Sequence, residues 1–241
     1  MLKNNILISG TSSGLGKFLI KNLGGYKLSR KKKISFYKNK KWDLIIHNGF
    51  YREGDGNKAL INSINLSYQI SRFDSKKTIF ISSMLIHDKK NQTLYVRSKK
   101  LCESFFKNKK NNYIIRLGSL VGKEMQKNTI YKVLFIKKPK ITVSKKSKYS
   151  FISYDEVLKL ILKIKKQNKI KKVNFYRDDF MSIEKISNIF NKNIKYGNFY
   201  FKSGKLKSSC KIDFIEIFKN KTSLNILNDL VKEINIKNNK K

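Results

Sequence analysis

The chain has 241 residues, with 55 Lys and Arg against 16 Asp and Glu, and a formal net charge of +39. This length allows one domain, or one domain with a small appendage. No apolar run approaches the roughly 20 residues of a membrane helix, the first residues show no secretory signal pattern, and the two cysteines lack metal-ligand spacing. We therefore expect a cytoplasmic protein with no metal site and no membrane span.

The positive charge has two interpretations. A strongly basic chain ordinarily suggests a nucleic-acid partner. The lysines are spread through nearly every segment, however, and they accompany many Asn and Ile residues, as an A/T-rich coding sequence would produce. We therefore expect no specific nucleic acid as partner, and a field that favours anionic ligands such as phosphorylated sugars or NADP.

The first element of the chain combines a strand, a glycine turn and a helix. The apolar run Ile6–Ser9 predicts a buried strand, and Gly10, Gly14 and Gly16 follow it. Apolar residues at helical spacing then predict a helix. Glycine lets backbone N–H groups approach a pyrophosphate at the positive end of the helix dipole. A purely structural turn is the alternative interpretation.

Strands and helices alternate through the rest of the first half. The apolar runs predict strands at 25–29, 34–37, 42–47, 78–81 and 113–117, helices at 58–72 and 94–106, and a loop at 118–122. The apolar side of the first of these helices comprises Leu60, Ile61, Ile64 and Ile70. This alternation predicts an α/β fold of the Rossmann type, a doubly wound parallel sheet.

The pattern changes near Pro139, the only proline. Short strands are predicted at 141–144, 149–152 and 173–176, and helices at 155–166, 183–190 and 224–234. We therefore expect a nucleotide-binding domain over residues 1–139. A smaller C-terminal substrate lobe is expected over 140–241, interwoven with the last strand and helix of the sheet.

Polar residues occur where a doubly wound sheet binds ligands. Ser82 and Ser83 end a buried strand, and the carboxyl edge of such a sheet is its ligand edge. Tyr95 and Lys99 are four residues apart on one helix face. An ammonium beside a phenol, whose ordinary pKa is about 10, favours the phenolate and makes the phenol a usable proton shuttle. Taken one at a time, each feature could be a helix cap, a turn or a chance occurrence. The prediction of a ligand site therefore depends on their combination and their order along the chain.

In these segments the chain resembles the short-chain dehydrogenase/reductase superfamily. The matching motifs are SGTSSGLG at 9–16, HNG at 47–49, FISS at 80–83 and YVRSK at 95–99. The glycine spacing is similar to the single-domain branch of the superfamily. Segments 114–122, 151–162 and 172–190 instead resemble its extended branch, the NAD(P)-dependent sugar epimerases, dehydratases and reductases, and these span more of the chain.

The resemblance implies a role for each matched residue. Tyr95 would be the general acid/base, Ser83 would polarise the substrate oxygen, and Lys99 would bind the nicotinamide ribose and tune Tyr95. Asn65, an amide inside a helix, would support the adjoining polar network. Together with Tyr95 and Lys99, the implied cofactor-binding residues are Gly10, Thr11, Ser12, Ser13, Gly14, Leu15, Gly16, Asn48, Gly49 and Asn65.

Two departures from the family pattern concern specificity. No Asp or Glu lies in residues 27–41, where a carboxylate usually binds the ribose 2′-hydroxyl, whereas Arg30 could pair with a 2′-phosphate. This favours NADP over NAD as cofactor. His87 and Asp88 replace the Tyr-Gly of the extended branch, and an exposed loop histidine without a role is the expectation.

The implied activity is that of an NAD(P)-dependent oxidoreductase or epimerase acting on a nucleotide-linked sugar in surface-polysaccharide synthesis. A carbonyl reductase of the single-domain type, acting on a small ketone, is one alternative. A non-catalytic NADP-binding sensor is another, because fold alone does not decide function. A homodimer would use helices 58–72 and 94–106, which pair between subunits in much of the family. The sequence does not identify the sugar, and it does not decide between reduction and epimerisation.

Overall fold

The computed structural model describes residues 5–28, 34–50, 56–88, 92–107, 109–167, 172–202, 212–218 and 221–238. Its first half alternates strand and helix. The elements are β1 (Ile6–Ser9), α1 (Gly14–Leu23), β2 (Tyr26–Leu28), α2 (Ser35–Lys38), β3 (Leu44–His47), α3 (Gly56–Ser71), β4 (Thr78–Ser83), α4 (Leu94–Lys107) and β5 (Asn112–Leu117).

The second half has shorter strands. The elements are β6 (Ser119–Val121), α5 (Thr129–Phe135), β7 (Lys148–Tyr149), β8 (Phe151–Ser153), α6 (Tyr154–Lys166), β9 (Lys172–Phe175), β10 (Met181–Ser182), α7 (Ile183–Ile189) and α8 (Ser223–Asn238). Two 3₁₀ turns, Met84–His87 and Ile215–Phe218, complete the described part. Within that part, no helix is long and apolar enough to cross a membrane.

A six-stranded parallel sheet is the centre of the molecule, in the order β2-β1-β3-β4-β5-β9. Every residue of β1 and β3 is buried, as expected for strands that helices cover on both faces. The predicted α/β Rossmann-type fold is therefore confirmed. Because all six strands run the same way, the residues that follow β1, β3 and β4 meet at one edge of the sheet.

The C-terminal half contributes both to this sheet and to a smaller region beside it. Strand β9 completes the sheet, while β8 pairs in parallel with β6, and β10 pairs antiparallel with β7. One continuous hydrophobic cluster extends from Ile6 in β1 to Leu230 in α8. The two halves of the chain thus share a core, which holds the smaller region against the ligand edge of the sheet.

The predicted loop at 118–122 is wrong, because Ser119 to Val121 form β6. Leu120 pairs with Ile152 of β8, and Val121 is buried. Three residues flanked by glycines carry almost no periodicity. Their strand conformation depends on a partner about thirty residues later in the chain, which local patterning does not reveal.

The predicted strand at 34–37 is also wrong, because this segment forms the single helical turn α2. Only Tyr37 of the turn is buried. Its hydroxyl donates to the Lys27 carbonyl at 2.9 Å, and its own carbonyl accepts from the Trp42 indole N–H at 3.2 Å. One buried aromatic side chain with two such hydrogen bonds favours a helical turn over an alternating strand.

Three further differences concern short or surface elements. Residues 141–144 form only an isolated bridge, from Val143 to Phe199. The strand predicted at 149–152 is interrupted at Ser150, between β7 and β8. Helix α5 is additional to the predicted elements, and Ile61, assigned to the apolar side of α3, is 55% exposed. A seven-residue helix is too short for hydrophobic periodicity to identify, and periodicity does not decide whether a single helix position is buried.

Candidate active site

A cleft of about 1060 Å³ opens at the carboxyl edge of the central sheet. Its lining brings together residues that follow β1 and β3, the end of β4, and one face each of α3 and α4. The predicted site residues on this lining are Gly10, Thr11, Ser12, Ser13, Gly14, Leu15, Asn48, Gly49, Asn65, Ser83, Tyr95 and Lys99. Gly16 is absent from the lining, and Arg30 lies outside the described residues.

The glycine turn after β1 is built by close backbone packing. Gly10 has φ +72°, and a Cβ there would lie 2.7 Å from the Cα of Gly49. A Cβ on Gly16 would lie 2.1 Å from the Gly10 carbonyl oxygen. These distances exclude side chains. Gly16 therefore packs α1 against the turn, which leaves the turn's N–H groups at the positive end of the helix.

A loop after β6 packs against the same turn. The Gly14 N–H donates to the Glu124 carbonyl at 2.9 Å, and the Gln126 side-chain amide donates to the Ser13 hydroxyl at 2.8 Å. Lys17 and Glu124 form an ion pair at 2.7 Å. This loop places Met125, Gln126 and Asn128 on the cleft. Sequence analysis did not find these residues, because the only local signal is a run of polar residues after a glycine.

Ser83 ends β4 at the cleft and begins the 3₁₀ turn that follows. Its hydroxyl oxygen accepts a hydrogen bond from the Leu85 N–H at 3.2 Å. Accepting this bond fixes the side chain and leaves the hydroxyl proton to be donated elsewhere. A substrate oxygen in the cleft could receive that proton as a hydrogen bond.

Lys99 is buried below Tyr95 on the cleft-facing side of α4. Its ammonium donates to the Ile81 carbonyl at 2.9 Å and lies 4.1 Å from the Phe50 ring centroid. The Tyr95 ring centroid is 5.9 Å away. Burial, with only 4% of the residue exposed, lowers the pKa of Lys99 to about 8. Lys99 is therefore largely charged at neutral pH, in a low-dielectric environment where electrostatic interactions are strong.

Phe50 is a residue of this cluster that sequence analysis missed. Its ring packs edge-on against Tyr95, with centroids 5.5 Å apart, and covers the Lys99 ammonium. Such a cation–π contact offsets part of the desolvation of the ammonium. The residue lies immediately after the predicted Asn-Gly turn, but no spacing in the sequence connects it to Tyr95.

The opposite end of the cleft combines apolar and amide side chains. Leu28, Ile34 and Leu66 provide the apolar part, while Asn62 and Gln69 contribute amides from α3 beside the predicted Asn65. Flat heterocycles such as purines are bound by apolar walls with a few amide donors and acceptors. Among the described lining residues, Lys99 carries a positive charge, and there is no Asp or Glu.

His87 belongs to a separate polar cluster. Arg116 pairs with Glu103 through two hydrogen bonds of 3.0 and 2.7 Å and lies 3.2 Å from the His87 ring nitrogen. The pKa of His87 is lowered by burial and then by the Arg116 charge. The cluster joins α4 to β5, and His87 is not on the cleft lining. The expectation of an exposed loop histidine is therefore wrong, since His87 is half-buried and bonded.

His47, at the end of β3, is fully buried beneath the cleft. Burial, with a smaller contribution from the Lys99 charge, lowers the pKa of His47 to about 3. The imidazole is therefore neutral in the folded protein at any ordinary pH. In the unfolded chain its pKa is about 6.5, so acid favours unfolding by protonating the exposed histidine.

This difference predicts how stability changes with pH. The contribution of the neutral His47 imidazole to the free energy of unfolding is fully present above pH about 6.5. It is lost progressively as the pH falls toward about 3. Between about pH 7 and about pH 5.5, wild type should lose about 1 kcal/mol more unfolding free energy than a His47→Asn variant. Urea titrations at both pH values measure the difference, and equal losses would contradict the prediction.

The comparisons with known proteins agree with this architecture. No family model and no curated protein matches the chain. Three similar solved structures are an NAD-dependent NDP-hexosamine 5,6-dehydratase of tunicamycin biosynthesis, the dTDP-4-dehydrorhamnose reductase of Bacillus anthracis in complex with NADP, and the UDP-N-acetylglucosamine 4-epimerase of Bacillus cereus.

The similarity is extensive in space and low in sequence. The TM-scores are 0.72, 0.72 and 0.66 and the identities 11%, 14% and 19%, in the same order. The alignments cover 95%, 96% and 96% of this chain and 97%, 100% and 95% of the other chains. The chain therefore has the fold of NAD(P)-dependent sugar epimerases, dehydratases and reductases, and the resemblance to the extended branch is confirmed at the level of the fold.

Proposed function

We propose that this chain is an NAD(P)-dependent short-chain dehydrogenase/reductase of the extended branch. It acts as an oxidoreductase or epimerase on a nucleotide-linked sugar, in surface-polysaccharide synthesis. The observation that carries the proposal is the single cleft that joins the glycine turn to Ser83, Tyr95 and Lys99. The three similar solved structures described above, each of which is named as an enzyme of nucleotide-linked sugars, support it.

The cleft fits a nicotinamide dinucleotide. Glycines keep side chains out of the turn between β1 and α1, where a pyrophosphate would contact backbone N–H groups. The apolar and amide end near Leu28 and Gln69 fits adenine, and Lys99 would hold the nicotinamide ribose. Such a cofactor, when bound, supplies or accepts a hydride.

The chain's own groups would manage the proton and the charge on the substrate oxygen. Ser83 donates a hydrogen bond to this oxygen as negative charge develops on it, an interaction that is strongest in the transition state. Tyr95 supplies the proton in reduction and removes it in oxidation. The buried Lys99 ammonium lies 5.9 Å from the Tyr95 ring centroid, where a positive charge would stabilise negative charge that develops on the phenol oxygen.

The region beside the sheet supports a nucleotide sugar over a small ketone. Residues after β6 extend the cleft through Met125, Gln126 and Asn128, and Tyr154 at the start of α6 also lines it. A small ketone needs no such extension. The described lining also lacks acidic side chains, which suits a ligand that carries a diphosphate.

Turnover assays distinguish the candidate activities. NADPH oxidation is measured with 4-keto sugars linked to UDP, GDP and dTDP, epimerisation with the matching hydroxyl sugars, and small ketones serve as the comparison. Turnover of a nucleotide sugar alone supports the proposal. Turnover of ketones alone would indicate the single-domain-type reductase. NADPH binding without turnover of any substrate would indicate a sensor.

Arg30 carries the proposed preference for NADP. Arg30→Ala should weaken NADPH binding roughly tenfold to a hundredfold, because a charge-assisted bidentate contact to the 2′-phosphate is lost. NADH binding should stay unchanged, since NADH lacks this phosphate. Calorimetric titration with both cofactors measures the two effects, and an equal weakening of both would remove the 2′-phosphate role.

The paired helices also support a homodimer. Ile61 and Tyr68 lie seven residues apart on α3, as do Leu94 and Leu101 on α4, and each is roughly half exposed. Because α3 and α4 pack against each other, we infer that these four exposed side chains form an apolar surface that a second copy could cover. Light scattering measures the mass in solution, and a monomer at micromolar concentration would contradict this proposal.

A further inference from the structure

A chain of buried and partly buried hydrogen bonds extends from the cleft to α3. The Gly49 N–H donates to the Ser9 hydroxyl at 2.9 Å, and that hydroxyl lies 2.7 Å from His47 Nδ1. On the other side of the ring, His47 Nε2 lies 2.8 Å from the Ser67 hydroxyl, which donates to the Ser63 carbonyl at 2.7 Å. All four distances are those of good hydrogen bonds.

The direction of every bond in this chain follows from its last member. The Ser67 hydroxyl has one proton and gives it to the Ser63 carbonyl, so its oxygen accepts from His47 Nε2–H. In a neutral imidazole Nδ1 is then an acceptor, and it receives the Ser9 hydroxyl proton. The Ser9 oxygen is left to accept from the Gly49 N–H. With the Ser67 proton assigned to the Ser63 carbonyl, His47 is the Nε2–H tautomer.

The chain ends where two turns of the cleft meet. Ser9 precedes the Gly10 turn, and Gly49 follows the Asn48 turn. A Cβ on Gly49 would lie 3.0 Å from the Gly10 nitrogen. The two backbones are therefore in contact, and the Ser9–Gly49 bond joins them directly. His47 holds the Ser9 hydroxyl in the orientation that makes this bond.

We propose that His47 is a positioning residue for the cleft, which acts through Ser9 to hold Gly49 against the Gly10 turn. The identity of the bound ligand as a nicotinamide dinucleotide rests on the proposed function. The positioning itself rests on the hydrogen bonds and the glycine contacts of this chain. His47 touches neither cofactor nor substrate, because the ring is fully buried.

Two amide substitutions test the two hydrogen bonds of the His47 imidazole separately. In His47→Asn the shorter amide can replace Nδ1 as acceptor for Ser9, but cannot reach Ser67. In His47→Gln the longer amide can replace Nε2–H as donor to Ser67, while the acceptor for Ser9 is lost. Both variants remove a buried ring, so both should lower stability by similar amounts.

The proposal predicts that the two variants differ in their affinity for the cofactor. His47→Asn should bind NADPH within about threefold of wild type, and His47→Gln should bind about tenfold more weakly, as Ser9→Ala should too. Ser71→Ala, which removes a hydroxyl bonded to the Tyr68 carbonyl on the same helix, is the matched control and should bind like wild type. Equal affinities of the Asn and Gln variants, or weaker binding by the Asn variant, would overturn the proposal.

Hydrogen exchange at the Gly49 amide tests the positioning without any ligand. The Gly49 N–H should be protected in wild type and in His47→Asn, and should exchange at least about tenfold faster in His47→Gln. If wild type binds neither NADPH nor NADH, the proposed function fails while this measurement still decides the positioning role. Equal exchange in both variants would refute that role even if the cofactor binds.

Discussion

Replacing Tyr95 with Phe should lower the turnover of a nucleotide sugar about a thousandfold, because the substrate oxygen then has no proton donor. The ring itself would be kept, including its packing against Phe50. The free energy of unfolding and the NADPH dissociation constant should therefore change little. Steady-state NADPH oxidation measures the loss of turnover, and a calorimetric titration measures the unchanged affinity.

Tyr68→Phe is the matched control for this experiment. Tyr68 loses a hydroxyl in the same way, but it lies on the solvent side of α3, packs against Phe105 and bonds to Arg72. Turnover within about twofold of wild type is expected, since surface changes of this kind are usually small. If Tyr95→Phe retains wild-type turnover with a substrate that the enzyme accepts, Tyr95 is not the proton shuttle.

Replacing Gly16 with Ala should lower the free energy of unfolding by about 3 kcal/mol and weaken cofactor binding. Intrinsic helix propensity predicts the opposite sign, since Ala is favoured over Gly in a helix by about 1 kcal/mol. The added methyl, however, would lie 2.1 Å from the Gly10 oxygen and 2.7 Å from the Gly10 carbon. These are backbone atoms, so α1 must move away from the turn, and the clash outweighs the propensity.

Gly24→Ala provides the comparison for the glycine prediction. Gly24 ends α1 at φ +69°, and a Cβ there would have no atom within 4 Å. Because its ψ is -159°, in a region that is essentially restricted to glycine, its replacement should lower the free energy of unfolding by about 1–3 kcal/mol, with no effect on cofactor binding. Urea titrations measure the stability of both variants, and calorimetric titrations with NADPH measure their cofactor binding. A Gly16→Ala variant that is as stable as wild type, or that binds NADPH as tightly as Gly24→Ala does, would contradict the close packing of α1 on the turn.

The sheet could be predicted because each of its main strands is a short apolar run that can be recognised from the local sequence. β1 and β3 are four-residue runs that are fully buried, bounded by Gly10 and by Asn48-Gly49. A smaller C-terminal lobe was expected, but its individual strands and their pairing could not be predicted, because these strands are two or three residues long. Their conformation comes from distant partners, such as β8 for β6 and β10 for β7, which no local pattern encodes.

The site shows the same division. Ser83, Tyr95 and Lys99 follow from a strand end and from helix spacing, both of which are local, and the structure brings them to one cleft. Phe50, Met125 and Gln126 reach that cleft through turns and loops, so the structure was needed to find them. His47 was visible in the HNG motif, but its contact with Ser67, twenty residues away on α3, gives it a role.

A crystal structure with NADPH and a nucleotide sugar that is turned over would show directly where the cofactor and the reacting oxygen bind. The pyrophosphate should lie against the turn from Gly10 to Gly14, the nicotinamide ribose within reach of Lys99, and the reacting sugar oxygen within hydrogen-bonding distance of both Ser83 and Tyr95. A dinucleotide bound away from the glycine turn, or a sugar oxygen beyond the reach of Tyr95, would contradict the proposed function.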